Sequence, residues 1–182
     1  WSALGSGMNS TVYALVVNGG VLYAGGNFTT AGGTTVNRIA KWDSNNWLAL
    51  GSGAGMNSIV RALAVNGNNL YAGGLFNTAD GKVVNHIAKW DGNVWSGLGT
   101  GIPSGPVYAL SMRSGELYVG GSFSIAAVGA VNVAMWNGNA WSALGTGIKN
   151  GTVYALGSVN GKLYLGGTFA LAGTTVSPYI AQ

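Results

Sequence analysis

Residues 141–169 read WSALGTGIKNGTVYALGSVNGKLYLGGTF, and each part of that stretch occurs three times upstream. WSALGSG begins at Trp1, WLALGSG at Trp47 and WSGLGTG at Trp95, while VYAL, VRAL, VYAL and VYAL begin at Val12, Val60, Val107 and Val153. LYAGG, LYAGG and LYVGG answer to LYLGG, and a last element reads RIAKW, HIAKW, NVAMW and finally YIAQ. The chain therefore divides into four repeats at 1–46, 47–94, 95–140 and 141–182, forming one domain. A period between about 20 and 50 residues marks a repeat architecture, in which one supersecondary unit buries its apolar surface against its own copies.

Each repeat reads as four short strands, which we call a (VYAL), b (LYAGG), c (RIAKW) and d (WSALG). Asn18-Gly19, Asn66-Gly67, Ser114-Gly115 and Asn160-Gly161 lie between a and b. Such pairs accept the backbone of tight hairpin turns, so a and b are antiparallel neighbours. Asp43-Ser44, Asp91-Gly92 and Asn137-Gly138 make the same link between c and the following d. VYALVV and VRALAV are apolar almost throughout instead of alternating, which requires both faces of the sheet to be covered. A flat sandwich leaves one face wet, and a helical solenoid needs a helical period that is absent. The reading that remains is an all-β propeller of four four-stranded blades, strand a nearest the axis.

The double glycines Gly25-Gly26, Gly73-Gly74, Gly120-Gly121 and Gly166-Gly167 end an apolar strand, and a Trp follows downstream in three of the four cases. This pattern resembles the kelch repeat along essentially the whole chain, although kelch's spaced Tyr between the double glycine and the Trp is missing. The resemblance implies a propeller fold and no particular activity. The copper chemistry of the galactose-oxidase branch uses a cysteine, and this chain has none.

The first residues form a lone d strand, Trp1 to Gly5, and the last form a lone c strand, Tyr179 to Gln182. Exposed strand edges invite pairing, so Trp1 to Gly5 is expected beside Tyr179 to Gln182. Made within one chain, that contact gives a four-bladed monomer; made between two chains, it gives an eight-bladed ring. Intramolecular closure is the expectation at low concentration.

Only 7% of the residues are charged, and the net charge of +4 is carried by scattered Lys and Arg, with no basic stripe for nucleic acid. No apolar run is long enough to span a bilayer. The absence of cysteine excludes disulfides and thiolate catalysis but leaves the compartment open, with an extracellular or cell-surface location favoured. Asn9-Ser10-Thr11, Asn27-Phe28-Thr29 and Asn150-Gly151-Thr152 fit the glycosylation acceptor pattern, which matters only for a protein secreted by a cell that glycosylates.

Chemistry is sparse. His86 is the single histidine, and the four acids, Asp43, Asp80, Asp91 and Glu116, are dispersed. Asp43 and Asp91 occupy equivalent c–d turns, where Asn137 stands in the third repeat, so turn formation accounts for them. Asp80 lacks the oxygen cluster that calcium needs. GSGAG at 51–55 lacks the Gly-Lys-Ser/Thr ending of a phosphate loop. Most Trp and Tyr residues recur at fixed strand positions, as packing residues do. No catalytic residue, metal or cofactor is expected.

The repeats differ most in the b–c loops, TTAGGTTVNR, NTADGKVVNH, SIAAVGAVN and ALAGTTVSPY. These share one propeller face with the d–a loops, and loops on a rigid scaffold carry function. The expected role is a non-catalytic binding or structural scaffold, with a lectin-like module as the alternative and a glycan-acting enzyme below both. The candidate contact residues for a protein or glycan ligand on that face are Asn9, Arg38, Asn57, His86, Lys149 and Tyr179.

Overall fold

The computed structural model describes all residues, Trp1–Gln182. The chain is all β, and its single helical element is the short 3₁₀ turn Ala126–Val128. Strands β1 (Val12–Asn18), β2 (Val21–Gly26), β3 (Ile39–Trp42) and β4 (Trp47–Leu48) form the first antiparallel sheet. The second holds β5 (Val60–Asn66), β6 (Asn69–Gly74), β7 (Ile87–Trp90) and β8 (Trp95–Gly97). The third holds β9 (Val107–Arg113), β10 (Glu116–Ile125), β11 (Ala130–Trp136) and β12 (Trp141–Ala143). The fourth has three strands, β13 (Val153–Val159), β14 (Lys162–Gly167) and β15 (Ile180–Ala181).

Each sheet is a meander offset by one strand from the sequence repeat, because the Trp strand that opens a repeat pairs with the preceding sheet. Trp42 lies opposite Trp47, Trp90 opposite Trp95 and Trp136 opposite Trp141. Their ring centroids are 5.3, 5.5 and 5.1 Å apart and the rings are tilted, within the range in which aromatic pairs attract.

The hairpin turns depart from the sequence reading in the first two sheets. Asn18 pairs with Val21 and Asn66 with Asn69, which places the turns at Gly19-Gly20 and Gly67-Asn68, one residue later than expected. The Asn side chains are used elsewhere: Asn18 Nδ2 donates to the Gly67 carbonyl at 2.8 Å and Asn66 Nδ2 to the Gly115 carbonyl at 3.2 Å, tying each hairpin to the next.

Successive sheets face one another through their first strands, β1 on β5, β5 on β9 and β9 on β13, and no comparable packing joins β13 back to β1. The double glycines make this approach possible. A Cβ placed on Gly25, Gly73 or Gly120 would lie about 2.5, 2.4 and 2.6 Å from Cγ1 of Val60, Val107 and Val153 respectively. Each second strand thus presents a notch, and the next sheet inserts a valine knob, with Leu63, Leu110 and Leu156 at its side. Val60, Val107 and Val153 are completely buried, whereas Val12, the first of the series, is 36% exposed and Leu15 is 61% exposed. The last notch, at Gly166, meets only Ala155 and the Tyr179 carbonyl of its own sheet.

Terminal pairing within the chain, the sequence expectation, is not made. β15 pairs only with β14. Trp47 Nε1 donates to the Leu4 carbonyl at 3.0 Å, holding residues 4 and 5 over the first sheet as Leu98 is held by Trp141 Nε1 at 2.8 Å. Beyond that anchor Trp1 is fully exposed.

Candidate functional site on the turn face

All four first hairpins carry a β-bulge at one equivalent position, between Val12 and Ala14, Val60 and Ala62, Val107 and Ala109, and Val153 and Ala155. The residues so displaced are Tyr13, Arg61, Tyr108 and Tyr154. A bulge re-aims one side chain out of the alternation of its strand. The first strands run side by side, so these four side chains form a row at the end of the strands where the d–a and b–c loops gather. The Arg61 guanidinium lies 4.1 Å from the Tyr13 ring centroid, and the Tyr108 and Tyr154 centroids are 5.2 Å apart. Tyr13 and Tyr154 are exposed and the middle pair half-buried. Sequence reasoning passed over this row because a bulge leaves no mark in a continuous apolar run.

Arg38, His86 and Tyr179 occupy one equivalent position, which Asn132 fills in the third repeat, counting back from Trp136. All four have left-handed backbone, φ +71°, +68°, +70° and +60°. Such residues are rare outside glycine and need support from their surroundings. The support comes from the neighbouring Phe: the amides of Arg38, His86 and Tyr179 donate to the carbonyls of Phe28, Phe76 and Phe169 at 2.7, 2.7 and 2.9 Å. The twisted backbone then aims the side chain at the next repeat. Arg38 Nη1 donates to the Met56 carbonyl at 3.1 Å, His86 Nδ1 meets the Ile102 carbonyl at 2.7 Å, and Asn132 Nδ2 donates to the Ile148 carbonyl at 2.9 Å. Met56, Ile102 and Ile148 are themselves equivalent, so unlike side chains form one recurrent clip. Tyr179, last in the series, is 68% exposed.

Asn9 and Asn57 form a second series. Asn9 Oδ1 accepts from the Thr29 and Thr30 amides at 2.9 and 3.0 Å, and Asn57 Oδ1 accepts from those of Asn77 and Thr78 at 3.0 and 3.1 Å. Each fixes the loop of its own sheet. Lys149 is exposed in the two-residue strand Ile148–Lys149, opposite Leu171. The six residues expected to contact ligand thus share the loop side of the molecule but are distributed over successive repeats. None of them lines the larger of the two cavities, which has a volume of about 380 Å³ and lies beside the fourth sheet.

Three of the four acids serve the loops, while Glu116, in β10, accepts from the Tyr118 hydroxyl at 2.9 Å. Asp43 Oδ1 accepts from the Asn45 and Asn46 amides, Asp91 Oδ1 from those of Asn93 and Val94, and Asn137 Oδ1 makes the corresponding pair to Asn139 and Ala140. Backbone hydrogen bonds hold the Asp43 and Asp91 carboxyls below the usual carboxylate value. At Asp80 burial pushes the carboxyl up, but the Ser52 hydroxyl and the Ser52 and Ala54 amides outweigh it, with Lys82 adding to the fall. Asp80 therefore ties its loop to the Gly51–Gly55 loop through Ser52. No group of three or more His, Cys, Asp or Glu side chains is placed to hold a metal ion, and no helix is long and apolar enough to cross a membrane.

No protein-family model and no curated protein matches the chain. Among solved structures it is similar to the computationally designed Ika4 protein, with a TM-score of 0.61 and 16% identity over 96% of this chain and 92% of that one. It is also similar to the computationally designed Ika8 protein, with a TM-score of 0.55 and 21% identity over 89% of this chain, which spans 44% of the length of Ika8. These are likenesses of fold.

Proposed function

We propose that the chain is a propeller-type array of four kelch-like blades and acts as a non-catalytic binding scaffold, with its ligand lying along the row Tyr13, Arg61, Tyr108 and Tyr154. The observation that carries this reading is the bulge repeated at one position in every blade. It costs a ladder hydrogen bond each time and turns out three phenol rings and one guanidinium at the loop end of the strands. Exposed aromatic rings on rigid strands offer large contact area with little loss of side-chain freedom on binding. Arg61 adds the one cation of the row, suited to a carboxylate or another hydrogen-bond acceptor.

One aromatic ring per blade, in three of four blades, also favours a lectin-like variant in which sugar rings stack on the tyrosines. An array of neutral and acidic glycans tests it: binding competed by one sugar and weakened about tenfold by Tyr108→Ala, the order expected for a lost stacking contact, supports the lectin variant. A negative array leaves protein ligands. Hydrogen-exchange protection by any captured partner confined to the opposite end, at Gly19, Gly67, Gly115 and Gly161, would overturn the site.

A further inference from the structure

The two open ends of the array match each other part for part. At one end Val12 and Leu15 stand exposed where their counterparts Val60, Val107 and Val153, with Leu63, Leu110 and Leu156, are knobs seated in a glycine notch; at the other end the notch of Gly166 is vacant. Tyr179 extends from the position whose counterparts clip the carbonyls of Met56, Ile102 and Ile148, and the next carbonyl in that series belongs to Met8. The outer edge of β15 is unpaired. Beside it lies the cavity of about 380 Å³, lined by Leu144, Leu163, Leu165, Gly173, Ala181 and Gln182. Leu144 is the counterpart of Leu4 and Leu98, whose carbonyls receive the indole N–H of Trp47 and Trp141, and of Leu50, beside which the buried Trp95 indole N–H has no acceptor. The cavity is therefore a seat for a tryptophan strand, and the sequence of such a strand, WSALG, is found at Trp1–Gly5, its first three residues unpaired, and in use at Trp141–Gly145.

We propose that the 182-residue chain binds a second copy of itself through these ends, residues 1–5 of each copy completing the fourth sheet of the other. The register follows from the third sheet, where Ala134 faces Ala143 and Met135 faces Ser142. It sets Ala181 opposite Ala3 of the second copy and Gln182 opposite its Ser2, with the indole of its Trp1 donating to the Leu144 carbonyl. A second copy is the occupant, rather than the chain's own N-terminus, because three nearly identical knob-and-notch interfaces impose one repeated turn and that turn leaves Val12 and Gly166 apart. A heterologous interface of this kind closes into a ring where its rotation closes, and two copies joined about a twofold axis supply eight units. The pairing holds whatever the turn face binds, so the outcome of the ligand experiment does not decide it.

The chain has no cysteine, which allows a direct test. The double variant Ala3→Cys, Ala181→Cys is oxidised and run on a denaturing gel without reductant. Covalent two-chain species, together with light scattering of the unmodified protein at twice the 18.4 kDa of one chain, are the expected result. A disulfide formed within one chain would overturn the second-copy assignment, and the absence of any disulfide would overturn the register. Gly166→Val is the variant expected to fold, since its new Cβ meets nothing closer than 3.7 Å in one chain. It should raise the dissociation constant of the pair about a hundredfold or more, equivalent to about 3 kcal/mol. Unchanged assembly in that variant would remove the notch from the interface.

Discussion

The second and fourth sheets share a sequence pattern and differ in surroundings. The second has a neighbour on each side: Leu70, Ala72, Phe76 and Trp95 are buried, and its notch holds Val107. The fourth keeps Tyr154, Val159 and Ile180 in solvent, its notch is vacant, and its outer edge is open. The same strand therefore has a buried apolar face or a wet one according to what stands beside it. In this fold the burial of a residue belongs to an interface between units, as expected for a repeat array whose stability is a sum of unit and nearest-neighbour terms.

Tryptophans give the largest contrast. Trp95 is completely buried, beside Trp90 in the core cluster that holds Leu50, Phe76 and Val84, and Trp95→Ala should cost about 3–5 kcal/mol at any protein concentration. Trp1→Ala should cost stability only where chains associate, so the loss should shrink on dilution. Urea unfolding of both variants at two protein concentrations separates the two behaviours; equal, concentration-independent losses would erase the distinction between the sheets.

Notches come next. Gly73→Val forces its side chain into Val107, a short branched residue with no room to yield, and should destabilise by about 1–3 kcal/mol. Gly166→Val in the dissociated chain should leave the melting temperature where it is. A similar fall in both would mean that the fourth notch is filled in solution even at low concentration.

The smallest expected effect concerns the turn between β7 and β8, which the three-stranded fourth sheet lacks. The folded-state pKa of Asp91 lies below its unfolded value because the Val94 and Asn93 amides stabilise the carboxylate. Its contribution is therefore present above the unfolded pKa, about 3.9, and is lost as pH falls through the lower folded value. Asp91→Asn should behave like the natural Asn137 turn and flatten that part of the acid titration of stability while leaving neutral pH nearly unchanged. An Asp91→Asn protein as acid-sensitive as the parent would show that the turn carboxylates are not the groups responsible.

Much of this was legible in the repeats. The recurring double glycines and tryptophans marked the strands, because a notch and an aromatic pair each require one residue type at one place, and the turn pairs between them marked the antiparallel order and with it the shared loop face. The bulged row was not legible, since inserting one residue into VYAL or VRAL changes direction without changing apolar character. Nor were the clips: Arg38, His86, Asn132 and Tyr179 have no common chemistry, and a one-residue deletion before Asn132 shifts it against the others unless the count runs back from Trp136. What unites them is a left-handed backbone that points unlike side chains at like carbonyls. The turns at Gly19-Gly20 and Gly67-Asn68 lay one residue from the expected pairs because Asn18 and Asn66 were better used as links between hairpins.

The one-strand offset between repeat and sheet also governs the order in which the molecule can be made. A ribosome delivers β1, β2 and β3 before the Trp47 strand that completes their sheet, and that strand belongs to the next repeat. Every growing chain therefore carries one unfinished sheet at its leading end, with an open edge and an empty tryptophan seat like those of the fourth sheet, until about one more strand has emerged. Synthesis advances as a row of units each sealed by its successor, and a stall at any repeat boundary leaves the same adhesive end exposed to neighbouring nascent chains.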